Sequence, residues 1–355
     1  MKIIIDVLTP KQGMFFPKLS DNLEKRGHQV TATTRRYREV TELLELKGIE
    51  AMVVGEHGGK DLSSKLKASA QRTLELTALF EEIEPDVSIS FLSPEMARVS
   101  YGLKVPHILI GDSPHAEAVA RLTVPLASRL LTPKMIPKKA WTGYGIASER
   151  IVQYNALDSY VWLKDFKPDQ GILEKLGLHE SRPVVTVRTA ETFAAYLLGK
   201  TQEETSVFPI VRKLLEKRSA LQIVVLPRYT EQINALRDSF RGRVTLCESV
   251  VDGPSLLYHT AAFVGAGGTM NEEAALLGVP TLSCYPGEPS LVEKCLITKK
   301  LVRRETDPEE VVKWTLKTVS KAERERKRQT EKARRLLETF EDPVDAVARE
   351  VERFA

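Results

Sequence analysis

The stretch Gly265-Ala-Gly-Gly-Thr-Met-Asn-Glu-Glu-Ala-Ala-Leu-Leu-Gly-Val-Pro280 decides how the rest of the chain is interpreted. It predicts a strand end, a glycine turn and the start of a helix. Backbone N–H groups at such a turn can bind a phosphate, because a helix N-terminus carries partial positive charge. A carboxylate one turn further along can reach sugar hydroxyls. The stretch therefore predicts a nucleotide or nucleotide-sugar site near residue 270.

The two adjacent acids of this stretch receive different predictions. Thr269 and Glu272 have the spacing of a capping box, in which each side chain satisfies a free N–H group at the helix start. Glu273 flanks an apolar stripe, and we expect it to accept hydrogen bonds from a ribose. The alternative for Glu273 is an ordinary surface acid. The apolar stripe consists of Met270, Ala274 and Leu277.

Other nucleotide signatures do not fit the stretch. Met270 stands where the third glycine of a dinucleotide-binding motif belongs, and the lysine of a P-loop is absent from the sequence motif. NAD and ATP are therefore not favoured, and we predict no cofactor, the sugar nucleotide being a substrate. The sequence has no Asp-x-Asp motif and no zinc-like spacing of Cys and His, so we predict no metal site.

The bulk composition indicates a globular protein of about two domains. The chain has 355 residues, of which 42% are hydrophobic and 28% charged. A formal net charge of +4 is too small to indicate nucleic acid as a partner. The three cysteines have no patterned spacing, which favours a reducing compartment. With neither a leader sequence nor an apolar run long enough to span a membrane, a cytoplasmic location is predicted.

Short apolar runs alternate with helical patterns, which predicts an α/β protein with parallel sheets covered on both faces. The expected strands of the first half are Ile3–Leu8, Gln29–Thr34, Ala51–Val54, Asp86–Phe91 and His107–Ile110. Those of the second half are Val184–Val187, Gln222–Leu226, Val244–Cys247, Ala262–Gly265 and Thr281–Cys284. The periodicity weakens between residues 132 and 169, so we predict domains over 1–165 and 166–355. The second domain ends in a charged helical tail, either a solvated face or a surface for an anionic partner.

The segment Gly267–Ala274 resembles the nucleotide-sugar motif of the GT-B superfamily. In MurG-type glycosyltransferases and non-hydrolysing UDP-N-acetylglucosamine 2-epimerases, a glutamate at this place holds the ribose of UDP, and it corresponds to Glu273. Gly13–Val30 resembles the first βα unit of such enzymes. Residues 1 to about 330 resemble a poorly characterised family of glycosyltransferases. That resemblance rests on Thr9–Gln12, Gly55–Gly59, Ser93–Glu95, Asp112–Ala118, Tyr154–Ala156, Asp165–Asp169 and Leu226–Tyr229.

The resemblance implies two Rossmann-like domains whose parallel sheets face a central cleft. It also implies an enzyme that moves a sugar from a nucleotide-linked donor, UDP-linked by analogy, to an unidentified acceptor. A lipid-linked molecule or a glycan fits that acceptor role. An epimerase acting on a UDP-sugar and a non-catalytic nucleotide-sugar-binding protein are the alternatives.

The segment Asp112-Ser-Pro-His-Ala-Glu117 follows an expected strand, at the end where open α/β sheets bind ligands. Asp112, His115 and Glu117 are candidates for a general base. The alternative is a polar loop that caps the next helix. The segment also resembles an epimerase motif whose active-site glutamate corresponds to Glu117. Two other acid–base positions of the epimerases correspond to Ser93 and Arg188, so the resemblance to an epimerase active site is incomplete.

Basic and polar residues at other predicted strand ends complete the candidate site. Arg188 and Arg228 are expected to bind the nucleotide diphosphate, together with Gly267, Gly268 and Thr269. Lys11, Gln12 and His57 are candidates for binding the acceptor. Each of these side chains is alternatively an ordinary loop residue.

One segment suggests contact with the inner face of a membrane. Residues 118–139 combine leucines and valines with Arg121, Arg129 and several lysines. A lipid-acceptor enzyme could use such a segment as a peripheral contact surface. A helix packed on the sheet with its basic residues outward is the alternative.

Overall fold

The computed structural model describes residues 1–59, 61–190, 207–217 and 221–355. The described chain forms two compact units. The first unit comprises Met1–Trp162 and Phe340–Ala355, and the second comprises Leu163–Thr339. The predicted division at residue 165 therefore differs from the observed one chiefly at the C-terminus, where the chain returns to the first unit.

The first unit contains a parallel sheet of seven strands in the order β3-β2-β1-β4-β5-β6-β7. The strands are β1 (Lys2–Val7), β2 (Gln29–Arg36), β3 (Met52–Glu56), β4 (Val87–Phe91), β5 (His107–Ile110), β6 (Arg129–Pro133) and β7 (Ile151–Tyr154). The helices from Met1 to the unit boundary are α1 (Pro10–Lys25), α2 (Arg38–Leu46), α3 (Leu62–Ile83), α4 (Pro94–Gly102), α5 (Glu117–Thr123), α6 (Lys139–Thr142) and α7 (Tyr160–Leu163).

The second unit contains a parallel sheet of six strands in the order β10-β9-β8-β11-β12-β13. The strands are β8 (Val184–Arg188), β9 (Gln222–Leu226), β10 (Thr245–Leu246), β11 (Thr260–Gly265), β12 (Thr281–Ser283) and β13 (Val302–Arg304). The helices are α8 (Ile172–Lys175), α9 (Phe208–Lys217), α10 (Thr230–Phe240), α11 (Gly253–Tyr258), α12 (Thr269–Leu276), α13 (Leu291–Thr298), α14 (Pro308–Val319) and α15 (Ala322–Leu337).

Continuous apolar runs explain why the central strands form as they do. Ile3, Ile4 and Ile5 of β1 are fully buried, and every residue of β4 and of β9 is buried. A strand in a parallel sheet is covered by helices on both faces, so it cannot alternate apolar and polar residues. These runs are the ones that the sequence predicts as strands.

Two strands of the first unit escape prediction because they lie in a region rich in Pro and Gly. Both β6 and β7 are short, and periodicity carries little information over four or five residues. Leu130 and Leu131 of β6 are fully buried in the sheet. The apolar side chains that suggested a membrane surface in residues 118–139 therefore belong in part to the core. In the described part of the chain, no helix has the length and apolar character needed to cross a membrane.

The first helix begins at Pro10, earlier than the helix over Phe15–Lys25 that the spacing of apolar residues predicts. Pro10 occupies the first turn of α1, and Thr9 is extended. Proline suits the first turn of a helix, since its fixed φ is already helical and its missing N–H has no helical partner there. Lys11 and Gln12 consequently lie in the first turn of a helix and not in a loop. In the second half of the chain, apolar spacing predicts a helix over Thr205–Lys217, which starts in residues outside the described ones; its described part is α9.

The final helix, α16 (Pro343–Val351), packs in the first unit against α1. Val347 is fully buried, and Arg26, the C-cap of α1, forms ion pairs with Asp345 at 3.2 Å and with Glu352 at 2.7 Å. An amphipathic helix shows in its sequence that one face is covered, but not which unit covers it. That explains why the sequence assigned this helix to the second domain.

Each sheet has a point where the strand order reverses direction. In the second unit, β9 and β10 lie on one side of β8 while β11 to β13 lie on the other. In the first unit, β2 and β3 lie on one side of β1 and β4 to β7 on the other. Ligands of open α/β sheets bind in the crevice at the carboxyl ends of the strands that flank such a point. Ligand sites are therefore expected at the carboxyl ends of β8 and β11, and at those of β1 and β4.

Candidate functional site

The glycine turn lies directly after β11, at the reversal point of the second sheet. Gly267 has a φ of 89°, and Gly268 has a φ of 94° with a ψ of −177°. Only glycine adopts the conformation of Gly268 without strain. Gly268 is the N-cap of α12, and Thr269 is its first helical residue, with no side-chain cap bond. The predicted capping box of Thr269 and Glu272 is therefore wrong, because the glycine conformation starts the helix one residue earlier.

The guanidinium of Arg228 lies against this turn. A Cβ added to Gly268 would come within 2.9 Å of Nη2 of Arg228. Arg228 itself follows β9, two residues beyond the strand end at Leu226. The structure thus joins an arginine to the N-terminus of α12, and both features favour an anion at the same place.

Arg188 is the last residue of β8 and is paired in register with Gly265 of β11 and Leu226 of β9. Its Nη1 donates to the carbonyl oxygen of Pro227 at 2.8 Å. Its own carbonyl accepts from the N–H of Ala266 at 3.0 Å. Arg188 therefore ties the end of β8 to the segment that carries Arg228 and to the start of the glycine turn.

A glutamine that the sequence did not single out holds the arginine segment in place. Oε1 of Gln232 accepts from the hydroxyl of Thr189 at 2.7 Å and from the backbone N–H of Arg228 at 2.8 Å. Its Nε2 donates to the carbonyl of Ala190 at 3.1 Å. Gln232 lies in the first turn of α10, and no spacing rule connects it with Thr189 far earlier in the chain. Sequence reasoning had no signal for this contact.

Both acids of α12 are buried. Glu272 is 9% exposed and Glu273 is 6% exposed. A carboxylate at this depth needs polar partners, since an unpaired buried charge is strongly unfavourable. Neither residue is a plain surface acid, which removes the alternative considered for Glu273. Its role as ribose ligand stays a prediction.

Asn271 fixes the first turn of α12 against the end of β11. A Cβ at Gly265 would lie 1.9 Å from Oδ1 of Asn271, so only glycine leaves room for this side chain. Asn271 is 2% exposed, and its Nδ2 lies 3.5 Å from Oε1 of Glu293 in α13. The glycine at position 265 therefore serves close packing, while Gly267 and Gly268 serve the turn itself.

A charged cluster lies at the carboxyl edge of the first sheet. The ammonium group of Lys11 forms ion pairs with the carboxylates of Asp112 and Asp158, the latter at 2.5 Å. The hydroxyl of Tyr154 donates to Asp158. Three chain segments meet here, namely the start of α1 and the segments that follow β5 and β7. Sequence reasoning named Lys11 and Asp112 but missed Asp158.

The two carboxylates of this cluster differ in protonation tendency. Burial raises the pKa of Asp158, although the charge of Lys11 opposes the rise. Burial also acts to raise the pKa of Asp112, but the charge and hydrogen bond of Lys11 and a hydrogen bond from Ser113 outweigh it, so the net shift is downward. Asp112 is therefore a weak base that is held as a carboxylate by its neighbours.

His115 and Glu117 lie close to Asp112 in sequence but are both exposed. Desolvation by the surrounding protein lowers the pKa of His115, and the charge of Asp112 opposes this. Glu117 is the first residue of α5, and its carboxylate pairs with Arg121 of the same helix at 2.7 Å. The structure thus associates His115 with Asp112 but directs Glu117 toward Arg121.

The two other candidates for the acceptor side occupy separate places. Gln12 is 5% exposed, accepts from the N–H of Leu8 at 2.5 Å and lies 3.3 Å from the carbonyl of Phe91. These bonds fasten the start of α1 to the end of β4. The ring of His57 stacks on Tyr37 with the ring centres 4.6 Å apart. Burial and the charge of nearby Arg35 lower the pKa of His57 to about 4, so its ring is neutral at pH 7.

Comparison with protein families places residues 1–352 in the family described as Protein of unknown function (DUF354), and the chain belongs to that family. A relative from Methanocaldococcus jannaschii, described as Uncharacterized protein MJ0665, is 32% identical over 319 residues. That alignment covers 88% of this chain and 90% of the relative.

Solved structures with the same fold define its class. The UDP-GlcNAc 2-epimerase from Neisseria meningitidis bound to UDP-GlcNAc is similar with a TM-score of 0.73, at 15% identity over 99% of each chain. The Spinosyn Forosaminyltransferase SpnP is similar with a TM-score of 0.65, at 14% identity over 100% of this chain and 99% of its own. The chain therefore has the GT-B fold of UDP-GlcNAc 2-epimerases and glycosyltransferases, as its sequence predicts.

Proposed function

We propose that the chain is a glycosyltransferase that moves a sugar from a UDP-linked donor to an acceptor without a metal ion. The observation that carries the proposal is the meeting of Arg188, Arg228 and the glycine turn around the reversal point of the second sheet. Three sources of positive potential meet at this point: two guanidinium groups and the N-terminus of α12. A diphosphate is the ligand that suits them.

The same groups account for the chemistry of transfer. The acceptor oxygen attacks the anomeric carbon of the sugar, and the bond from that carbon to the diphosphate oxygen breaks. The nucleoside diphosphate leaves with the bonding electrons, and negative charge develops on its phosphates. Arg188, Arg228 and the helix N-terminus stabilise that charge, as a metal ion does in other transferases. Glu273 accepts hydrogen bonds from the ribose and holds the donor in position.

A base must take the proton of the acceptor hydroxyl, and the first unit offers two candidates. Asp112 is paired with Lys11 and has a lowered pKa, which makes it a poor proton acceptor. His115 is exposed, and its lowered pKa keeps the imidazole neutral at pH 7. We therefore assign the base to His115, with Asp112 stabilising the imidazolium that forms.

Epimerisation is the alternative, and the acid–base groups that it requires are incomplete. Ser93 caps α4 and donates to Asp6 at 2.6 Å, so it offers a hydroxyl where the epimerases have a carboxylate. Arg188 stands where they have a histidine, and Glu117 is paired with Arg121 at the surface. Removal of a proton from a sugar carbon needs a base at these positions.

Calorimetric titration with UDP tests the donor site. We expect Glu273→Gln to weaken UDP binding by roughly 1–3 kcal/mol, the loss from removing a charged hydrogen-bond acceptor. Glu272→Gln is the matched control, since it removes the neighbouring buried acid, and it should leave UDP affinity unchanged. Equal UDP affinity in the wild type and in Glu273→Gln would contradict the assignment.

Two further assays separate the three functions. Incubation with UDP-N-acetylglucosamine in deuterated water labels the sugar carbon if the protein is an epimerase, and leaves it unlabelled if the protein transfers sugar. The protein and the UDP-sugar are then incubated with acceptor pools containing lipid-linked molecules and glycans, and the release of UDP from the donor is measured. If the protein binds UDP but forms no UDP from the donor with any acceptor pool, it is a binding protein and the transfer proposal is wrong.

A further inference from the structure

The reversal point of the first sheet has a buried ion pair beneath it. Asp6 of β1 and Arg72 of α3 form two hydrogen bonds, from Nη2 to Oδ1 at 2.6 Å and from Nη1 to Oδ2 at 3.0 Å. Both side chains are essentially inaccessible to solvent. The hydroxyl of Thr33 donates to Oδ1 at 2.9 Å, and that of Ser93 donates to Oδ2 at 2.6 Å. The carboxylate of Asp6 therefore has four hydrogen bonds and no capacity to neutralise a second cation.

Arg35 follows Thr33 on the same face of β2. Side chains alternate along a strand, so residues two apart share a face. Thr33 is opposite Asp6 in the register of β1 and β2, and Arg35 lies two residues nearer the carboxyl edge. This placement puts the guanidinium of Arg35 above the Asp6–Arg72 pair, at the edge where ligands of such sheets bind.

The guanidinium of Arg35 is desolvated without a matching carboxylate. Its Nε is fully buried and has no hydrogen-bond partner. Among the described residues, no carboxylate oxygen forms an ion pair with Arg35. Glu95, at the start of α4, is 5% exposed but pairs with Arg72 at 3.7 Å and with the hydroxyl of Ser93 at 3.4 Å. Burial lowers the pKa of Arg35, although the charge of Glu95 opposes this.

The surroundings of Arg35 resemble a recognition surface. The loop Gly55–Gly59 packs tightly on α3, since a Cβ at Gly58 would lie 2.4 Å from the Cα of Lys65. This packing holds His57 stacked on Tyr37, and the charge of Arg35 acts on the His57 ring. Lys65 adds a second positive charge near the ring. A cation beside a flat aromatic pair is suited to a sugar or polyol that carries an anionic group.

We propose that Arg35 binds an anionic group, a phosphate or a carboxylate, on the acceptor. The claim that the ligand is the acceptor rests on the proposed transferase function, but the anion site itself does not. A guanidinium can donate two parallel hydrogen bonds to such a group, and here the donors are Nη1 and Nη2, since Nε of Arg35 is closed off from solvent. Pairing offsets the cost of burying the charge, which the protein alone does not offset at this position.

Nuclear magnetic resonance of the arginine Nε–Hε groups tests the proposal. The protein is titrated with inorganic phosphate and, separately, with acetate, at constant ionic strength. Arg35→Gln assigns the Arg35 signal by its disappearance, and Arg36→Gln is the matched control. Arg36 is the next residue of β2, is exposed and lies on the other face. We expect the Arg35 signal to shift with one or both anions. A shift with phosphate indicates a phosphate group on the ligand, and a shift with acetate indicates a carboxylate.

Binding constants from calorimetry give the second measurement. Arg35→Gln should weaken binding of the responding anion by at least about fivefold, while Arg36→Gln leaves it unchanged. Arg35→Lys keeps the charge without the planar fork and should give an intermediate constant. If Arg35→Gln does not fold, the Lys variant and the wild-type spectrum still decide the question. An Arg35 signal unmoved by both anions, or equal loss in both glutamine variants, overturns the proposal.

Titration of the same variants with UDP separates this proposal from the transferase function. Arg35 belongs to the first unit and the donor groups to the second. We expect Arg35→Gln to retain wild-type affinity for UDP. Wild-type protein that binds phosphate through Arg35 but shows no UDP binding would leave the anion site standing and refute the donor site. Wild-type protein that binds UDP but shows no binding of either anion at Arg35 would refute the anion site alone.

Discussion

The two sheets share one order over six strands, to which the first sheet adds β7, but charges are arranged differently at their carboxyl edges. In the second unit, Arg188 and Arg228 converge on a glycine turn and a helix N-terminus. In the first unit, cations and carboxylates are paired internally, as in the Asp6–Arg72 pair and the Lys11 cluster. Arg35 is the exception at the first edge, since among the described residues no carboxylate forms an ion pair with it. A shared strand order therefore does not determine ligand chemistry, which depends on the charged residues that the strand ends and loops place at each edge.

The largest expected effect is on the free energy of unfolding, and it comes from breaking the buried Asp6–Arg72 pair at the first edge. Asp6→Asn should lower the free energy of unfolding by about 3–5 kcal/mol, because it leaves the buried charge of Arg72 without its partner. Urea denaturation measures the change. Asp345→Asn is the control, since it weakens the more exposed pair with Arg26. A loss for Asp6→Asn no greater than for the control would show that the first edge does not depend on internal pairing.

A buried histidine makes the first unit sensitive to acid. His107 of β5 is fully buried between the hydroxyls of Ser88 and Ser90, and burial lowers its pKa from 6.5 to about 4. The unfolded chain takes up a proton near pH 6.5 that the folded one refuses until about pH 4. The free energy of unfolding is therefore unaffected by this group above pH 6.5. It falls by about 3 kcal/mol as the pH drops from 6.5 toward 4.

Urea denaturation between pH 7.5 and 4.5 measures this dependence. Replacement of Trp314 by Phe restricts tryptophan fluorescence to Trp141 and Trp162, which both belong to the first unit. His107→Asn in that background should be less stable at pH 7.5 but should show a flatter pH dependence. An unchanged slope in this variant would mean that other groups control the acid response.

Substitutions at the second edge should change ligand affinity more than they change the free energy of unfolding. Arg228→Gln should weaken UDP binding by about 1.5–3 kcal/mol, the usual value of a charge-assisted hydrogen bond. Calorimetry at low and at high salt measures it. Arg237→Gln is the control, since Arg237 on α10 is exposed and pairs with Glu248. If Arg228→Gln and Arg237→Gln bound UDP equally well, the second edge would not be the diphosphate site and the contrast between the two edges would be wrong.

The smallest effect is expected at Glu117. Its pair with Arg121 is exposed, and such pairs on a helix contribute only about 0.3–0.5 kcal/mol. Glu117→Gln should therefore leave the thermal midpoint and any sugar transfer nearly unchanged, whereas His115→Gln should abolish transfer. Loss of turnover in Glu117→Gln with normal UDP binding would restore Glu117 as a catalytic residue and favour the epimerase alternative.

The sequence predicted the parts of the fold that depend on local pattern. Apolar runs such as Ile3–Ile5 marked the buried parallel strands, and Gly267 and Gly268 marked the turn before α12. Resemblance to known families added the GT-B class, which the solved structures support. The short strands β6, β7 and β13 and the position of α16 were missed, because none of them has a local signal that distinguishes it from a loop or a surface helix.

At the candidate site, the sequence alone determined residue types at strand ends, where topology brings them to one edge of a sheet. Tertiary structure alone decided which of them meet. It joined Arg228 to Gly268, Gln232 to Thr189 and Asp158 to Lys11. The physical reason is that local pattern is set by the conformational preferences and burial of neighbouring residues. Charge compensation depends instead on groups far apart in the chain, and only the folded chain brings those together.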